Sequence, residues 1–130
     1  MKLTEIFKQN KYSLSFEVFP PKTDDVYDSV KHATEEIARL SPAFMSVTYG
    51  AGGGTSRYTL DIAKNIKTEY GVPSLAHLTC VSSTRETVAA RIADFKEAGI
   101  VFFINVRKIV IFMLYNNTKR TRRRSTDGQI

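Results

Sequence analysis

Ser15-Phe16-Glu17-Val18-Phe19-Pro20-Pro21 reads as a β-strand that stops at a proline pair, because proline lacks the N–H that a ladder needs. Two aromatics and a valine surround one carboxylate. Burying Glu17 in such a strand is costly unless it is paired or its pKa shifts, and shifted carboxyls are what acid–base chemistry uses. The alternative is that Glu17 lies on a solvated face or pairs with a basic residue. Spacing alone divides the two readings evenly.

The same kind of unit recurs along the chain. Strand candidates begin near Leu14, Phe44 and Leu75, each followed by a helical pattern, at a spacing of roughly thirty residues, the size of a βα unit. The first helix is expected from about Asp25 to Leu40, with Val26, Val30, Ala33, Ile37 and Leu40 as its stripe and Asp24 or Asp25 as N-cap. The second is expected over Ser56–Tyr70, with Ile62, Ala63, Ile66 and Tyr70 on one face, ended by Gly71 and then Pro73. The third is expected to start at Ser83, whose spacing to Glu86 makes a capping box. Val88, Ile92 and Phe95 form its stripe and Gly99 closes it. Met1–Lys11 reads as a short helix before the first strand. Alternating strands and helices imply an α/β fold with parallel pairing.

Polar residues gather where such folds keep their sites, at the carboxyl ends of strands. The second strand, Ala43–Val47, leads into Thr48-Tyr49-Gly50-Ala51-Gly52-Gly53-Gly54-Thr55-Ser56, and the third, Leu75–Cys80, carries His77 inside an apolar run. Glu17, Thr48, Tyr49 and His77 are therefore expected at one edge. A lone strand histidine is more often a hydrogen-bonded core residue, and Tyr49 can be plain packing. The glycine run before a helix can cradle a phosphate or be a flexible loop; it fits neither a P-loop nor a dinucleotide fingerprint.

Ser15–Pro21, Ser46–Ser56 and Ala76–Cys80, in that order and at these separations, closely resemble the methylenetetrahydrofolate reductase family. The likeness runs from about Tyr12 to Ile100. It implies a TIM barrel of eight βα units, of which this chain holds the first three to four. It also implies FAD as cofactor and NADH or NADPH as co-substrate. The implied reaction, in one-carbon metabolism and methionine synthesis, is reduction of 5,10-methylenetetrahydrofolate to 5-methyltetrahydrofolate. By the same resemblance Glu17 matches the catalytic acid, Thr48 a position contacting the nicotinamide nucleotide, and Tyr49, Ala51 and His77 flavin-binding positions. No metal is implied, and homo-oligomers are common in the family.

Beyond Ile100 the family continues into a fourth strand and an Arg-Gly-Asp turn. Here Val101–Val106 can be that strand, but Lys108 and Ile109 stand where the Gly and Asp would fall, and Arg107 receives no role. Charge divides the chain at the same place. Residues 1–106 hold twelve basic and twelve acidic residues, whereas residues 107–130 hold seven basic residues and Asp127. The net charge of +6 thus comes from the tail. A displaced reading frame near Gly99–Asn105 would account for the change. Two units are therefore expected: 1–106, the amino-terminal part of the barrel, and 107–130, a basic, disordered tail outside the family. The run Lys119–Arg124 can bind nucleic acid or an acidic partner, but such runs are more often solvated ends. A non-enzymatic fragment with a polyanion-binding tail is the alternative function.

Length limits the enzyme reading: 130 residues are about half of the ~250 that eight units need. Activity of the chain alone would lack the later strands' grip on flavin and folate. Val101–Val106 and Ile109–Tyr115 are apolar runs with high β propensity. The single cysteine, Cys80, permits no internal disulfide and fits a reducing cytoplasm. Ile100–Tyr115 is broken by Arg107 and Lys108 and is shorter than the ~20 residues of a membrane span, so no membrane role is expected.

Overall fold

The structure, a computed structural model, describes residues 3–9, 11–49, 56–106 and 109–113. Four short runs rich in aromatic and β-branched residues form parallel strands: β1 (Ser15–Val18), β2 (Phe44–Val47), β3 (Ser74–Thr79) and β4 (Val101–Val106). They lie side by side in chain order, and β5 (Ile109–Met113) completes the sheet antiparallel to β4. Between them run α2 (Tyr27–Arg39, entered through a 3₁₀ turn at Asp24–Val26), α3 (Ser56–Tyr70) and α4 (Arg85–Glu97); α1 (Leu3–Gln9) precedes β1. The α/β class and the parallel pairing follow the sequence reading.

Side chains alternate across a strand, so one face of the sheet can be apolar while the other is not. Met45 and Val47 of β2 and Ala76 and Leu78 of β3 are buried in one cluster with Val18, and all three crossover helices contribute to that cluster. Ala38 comes from α2, Tyr58, Ile62, Ala63 and Ile66 from α3, and Phe95 from α4. The intervening strand residues lie on the opposite face, where Ser15, Glu17, Ser46 and His77 keep solvent contact and Leu75 is buried. At the amino end of that face α1 approaches the sheet, where the Phe7 ring meets Phe44 edge-on at 5.8 Å.

The stripes of α3 and α4 are those read from the sequence, but the face of α2 is rotated. Val26, Ala33 and Leu40 are exposed, and the helix buries Thr34 and Ala38 beside Val30 and Ile37. A threonine is tolerated there because its Oγ1 donates to the Val30 carbonyl at 2.7 Å, satisfying its polar atom locally. The expected caps also shift. Neither Asp24 nor Asp25 caps α2, whose N-cap position is Val26. Thr84 rather than Ser83 caps α4, accepting from the Thr87 N–H at 3.2 Å, so the Ser83–Glu86 box does not form. The two glycine stops stand: Gly71 and Gly99 adopt φ +65° and +63°. At Gly99 the Ile100 N–H reaches the Phe95 carbonyl and both side chains are buried, the paired bonds and apolar contact of a Schellman end.

Five residues of the segment expected to be a tail are described as strand β5. Ile109–Met113 pairs with β4 from Val106↔Ile109 to Phe102↔Met113, which suits a run of β-branched and aromatic residues. The rest of that tail, including Lys119–Arg124, lies outside the described residues. The one-sided core carries a direct test. Truncating fully buried Met45 to Ala is expected to cost about 2–5 kcal/mol in urea unfolding. Phe19→Ala, at a position 68% exposed, is expected to stay within about 0.5 kcal/mol of the parent.

Candidate functional site

β1 and β3 are not neighbours, yet they bring two of the sequence-selected residues together. Glu17 Oε1 lies 3.7 Å from His77 Nε2, on the face opposite the crossover helices. The register explains how they meet across β2. Glu17 stands opposite Ser46, and Ser46 opposite Leu75, so His77 lies two positions further along β3 and the two side chains meet on a diagonal across β2. Glu17 is 47% exposed and His77 24%. Glu17 is thus not enclosed by apolar groups within this chain, and the costly burial that its strand suggested is avoided by the pleat. Burial holds the His77 imidazole below its usual range, against the smaller opposing pull of the Glu17 carboxylate.

Thr48 follows directly on β2 at the carboxyl edge. Its N–H donates to the Val18 carbonyl at 2.9 Å, and its own carbonyl accepts from Thr59 Oγ1 at 2.9 Å. Thr59 is fully buried in the first turn of α3. Tyr49 takes the other direction. It is half-buried against the helix-side core. Ala51 and the glycine run lie outside the described residues.

A second polar cluster ties the two loops that flank this edge. Asp24, after β1, accepts hydrogen bonds from Tyr58 Oη and from the Arg57 guanidinium, both at the start of α3. The guanidinium carbon also stands 4.6 Å from the centre of the Tyr58 ring. These bonds, that from Tyr58 foremost, hold the Asp24 carboxyl below its usual range. The sequence reading took Asp24 for a cap and passed over Thr59. A carboxylate just after the proline pair and an Arg-Tyr-Thr run after the glycines were the available signs of a loop tie. Among the described residues no three His, Cys, Asp or Glu side chains are placed to hold a metal ion. None of the described helices is long and apolar enough to cross a membrane. A groove of about 450 Å³ between α3 and α4 is lined by Leu60, Lys64, Asp94 and Glu97 among others, but by neither Glu17 nor His77.

Known proteins resemble the chain over most of its length. The methylenetetrahydrofolate reductase family matches residues 2–108. That match starts before Tyr12 and ends beyond Ile100, so α1 and β4 fall inside it. A 5,10-methylenetetrahydrofolate reductase of Pectobacterium carotovorum subsp. carotovorum is 36% identical over 99 residues, covering 76% of this chain and 33% of that protein. The protein of the same name from Escherichia coli (strain K12) is 33% identical with the same coverage. A methylenetetrahydrofolate reductase (NADH) 1 of Arabidopsis thaliana is 31% identical over 99 residues, 76% of this chain and 17% of that protein. The chain spans about a third of the length of these bacterial relatives.

Two outcomes are expected from this geometry. His77 binds its proton less readily folded than unfolded, so the unfolded chain carries more protons below the usual value of 6.5. Stability therefore rises with pH through that range and falls on acidification. Urea midpoints between about pH 5.5 and 7.5 should show this slope, and His77→Asn should flatten it. Thr59→Val, which leaves the Thr48 carbonyl without its donor, should cost about 1–3 kcal/mol, most of it restored by Thr59→Ser.

Proposed function

The chain belongs to the methylenetetrahydrofolate reductase family, and from that premise we propose that it carries the amino-terminal part of an FAD-dependent reductase. The reaction is reduction of 5,10-methylenetetrahydrofolate to 5-methyltetrahydrofolate, with NADH or NADPH as the electron source. Parallel strands in unbroken chain order, with all crossover helices on one face, support reading the sheet as the first arc of an eight-stranded βα barrel. A doubly wound sheet would reverse its strand order and cover both faces. The NADH in the name of the Arabidopsis relative supports a nicotinamide donor.

The observation that carries the reading is the convergence of Glu17 and His77 on the face left free of crossover helices. The donor set fits a flavin. A half-buried imidazole offers both a flat surface and a polar contact beside an isoalloxazine, and Thr48 stands at the neighbouring strand end. Such a group, when bound, takes hydride from the nicotinamide and passes it to the folate. The protein's part is positional and acid–base. Glu17 gives a proton to the folate nitrogen as the methylene C–N bond breaks, the bond's electron pair staying on nitrogen. The carbon left behind is an electron-poor iminium, ready to accept hydride. A carboxyl reachable from solvent yet beside a histidine can deliver that proton and be recharged.

Incubation of the purified chain with FAD, followed by desalting and a visible spectrum, tests the reading. Flavin bands are expected to stay with the protein, and His77→Ala is expected to weaken retention about tenfold, the loss of one packed polar contact. A colourless parent chain would overturn the proposal that these strands form a cofactor site.

A further inference from the structure

The contact between Glu17 and His77 has a property that neither residue has alone. Neighbouring strands in a sheet are about 4.8 Å apart, so residues two strands apart start about 10 Å from one another. Side chains from β1 and β3 nevertheless approach to 3.7 Å. They do so on a diagonal across β2, past the short side chain of Ser46, with His77 two positions beyond the residue opposite it. That separation is longer than a hydrogen bond and short enough for strong charge coupling. The charge on the imidazole therefore decides how the two side chains interact. With a neutral imidazole no ion pair exists, and with a protonated one the carboxylate is drawn to Nε2.

We propose that Glu17 and His77 form a coupled proton-holding pair, in which His77 is a positioning residue for the Glu17 carboxyl. The proposal rests on the reading of Glu17 as the acid and adds how that acid is reset. Glu17 is a charged group that acts on His77. The nearby β2 positions, Ser46 and Thr48, carry no charge, and the register partner on β4 is Phe103, also without one. Two influences on the imidazole thus oppose each other: burial favours its neutral form, and an ionised Glu17 favours its charged form. After Glu17 has released its proton, its negative charge draws a proton from solvent onto His77 Nε2. Transfer of that proton to Oε1 breaks an N–H bond and makes an O–H bond, leaving a neutral imidazole and a recharged acid. No electrons are exchanged.

The test is an NMR pH titration of the flavin-free chain, which holds only two histidines, His32 and His77. In Glu17→Gln the His77 midpoint is expected to fall while that of His32 stays in place. The parent chain gives a check that needs no variant. Raising salt from about 0.01 to 1 M shortens the screening length from about 30 to 3 Å. The His77 midpoint should then fall by more than that of His32. Midpoints of His77 that ignore both Glu17→Gln and salt would overturn the coupling. The measurement uses no flavin, so a colourless chain leaves the pair standing, and an uncoupled pair leaves flavin binding standing.

Discussion

One-sided burial is the constraint on which the rest of this structure depends. Ile62, Ala63 and Ile66 of α3, fully buried with Met45, Val47 and Ala76, press one face of β2 and β3 into the core. With a period of two, the residues between those positions have no choice of direction. Ser46 and His77 must face away from the helices, and so must Glu17 through its pairing with Ser46. A slip of one residue in β1 would turn Glu17 into the apolar layer, where an unpaired carboxylate costs several kcal/mol. The packing that stabilises the sheet and the geometry that lets an acid meet a histidine are therefore one arrangement.

Around that arrangement the loops are tied rather than left to wander. The chain leaving β2 is held at both peptide groups of Thr48, by β1 on one side and by the buried Thr59 hydroxyl on the other. Asp24, Arg57 and Tyr58 link the chain leaving β1 to the start of α3. Arg57 and Asp24 are exposed, so their ion pair alone contributes little. Tyr58 differs, because its ring is buried in the core and packs 5.3 Å from Tyr27 while its hydroxyl reaches Asp24. It fastens a solvent-side contact to the apolar layer, which makes the tie directional.

The βα rhythm was legible because it rests on apolar spacing and on glycine stops, both local properties. Gly71 and Gly99 end their helices where a positive φ is required, and Ile62, Ala63 and Ile66 occupy the face that their spacing marked. The α2 face was misread because hydrophobicity alone ranks Ala33 and Leu40 above Thr34, whereas burial depends on whether a hydroxyl finds its own acceptor. The α4 cap slipped by one residue because Ser83 and Thr84 are both capable, and tertiary geometry chooses between them. At the site, the shared edge of Glu17, Thr48 and His77 followed from strand order. The Glu17–His77 contact did not, since it depends on the size of Ser46 and on register across three strands. Tyr49, beyond the end of β2, is half-buried against the core.

The two sheet edges are unequal, and the inequality bears on how the sheet can grow. Leu14 and Val18 direct their carbonyls to β2, accepting from Ala43 and Thr48. Alternation then turns the peptide groups of Ser15 and Glu17 outward, to an edge with no strand beyond it among the described residues. Tyr12, Leu14 and Phe19 stand exposed beside it. The far edge, on β4, is taken by β5, whose antiparallel pairing uses the donors and acceptors that a parallel fifth strand would need. On the barrel reading, extension past β4 therefore requires β5 to leave, whereas the β1 edge can accept a closing strand as it stands. Edge strands that pair with other chains are a hazard that natural sheets limit by shortness, proline and charge. β1 has all three, in its four residues, in Pro20–Pro21 and in Glu17.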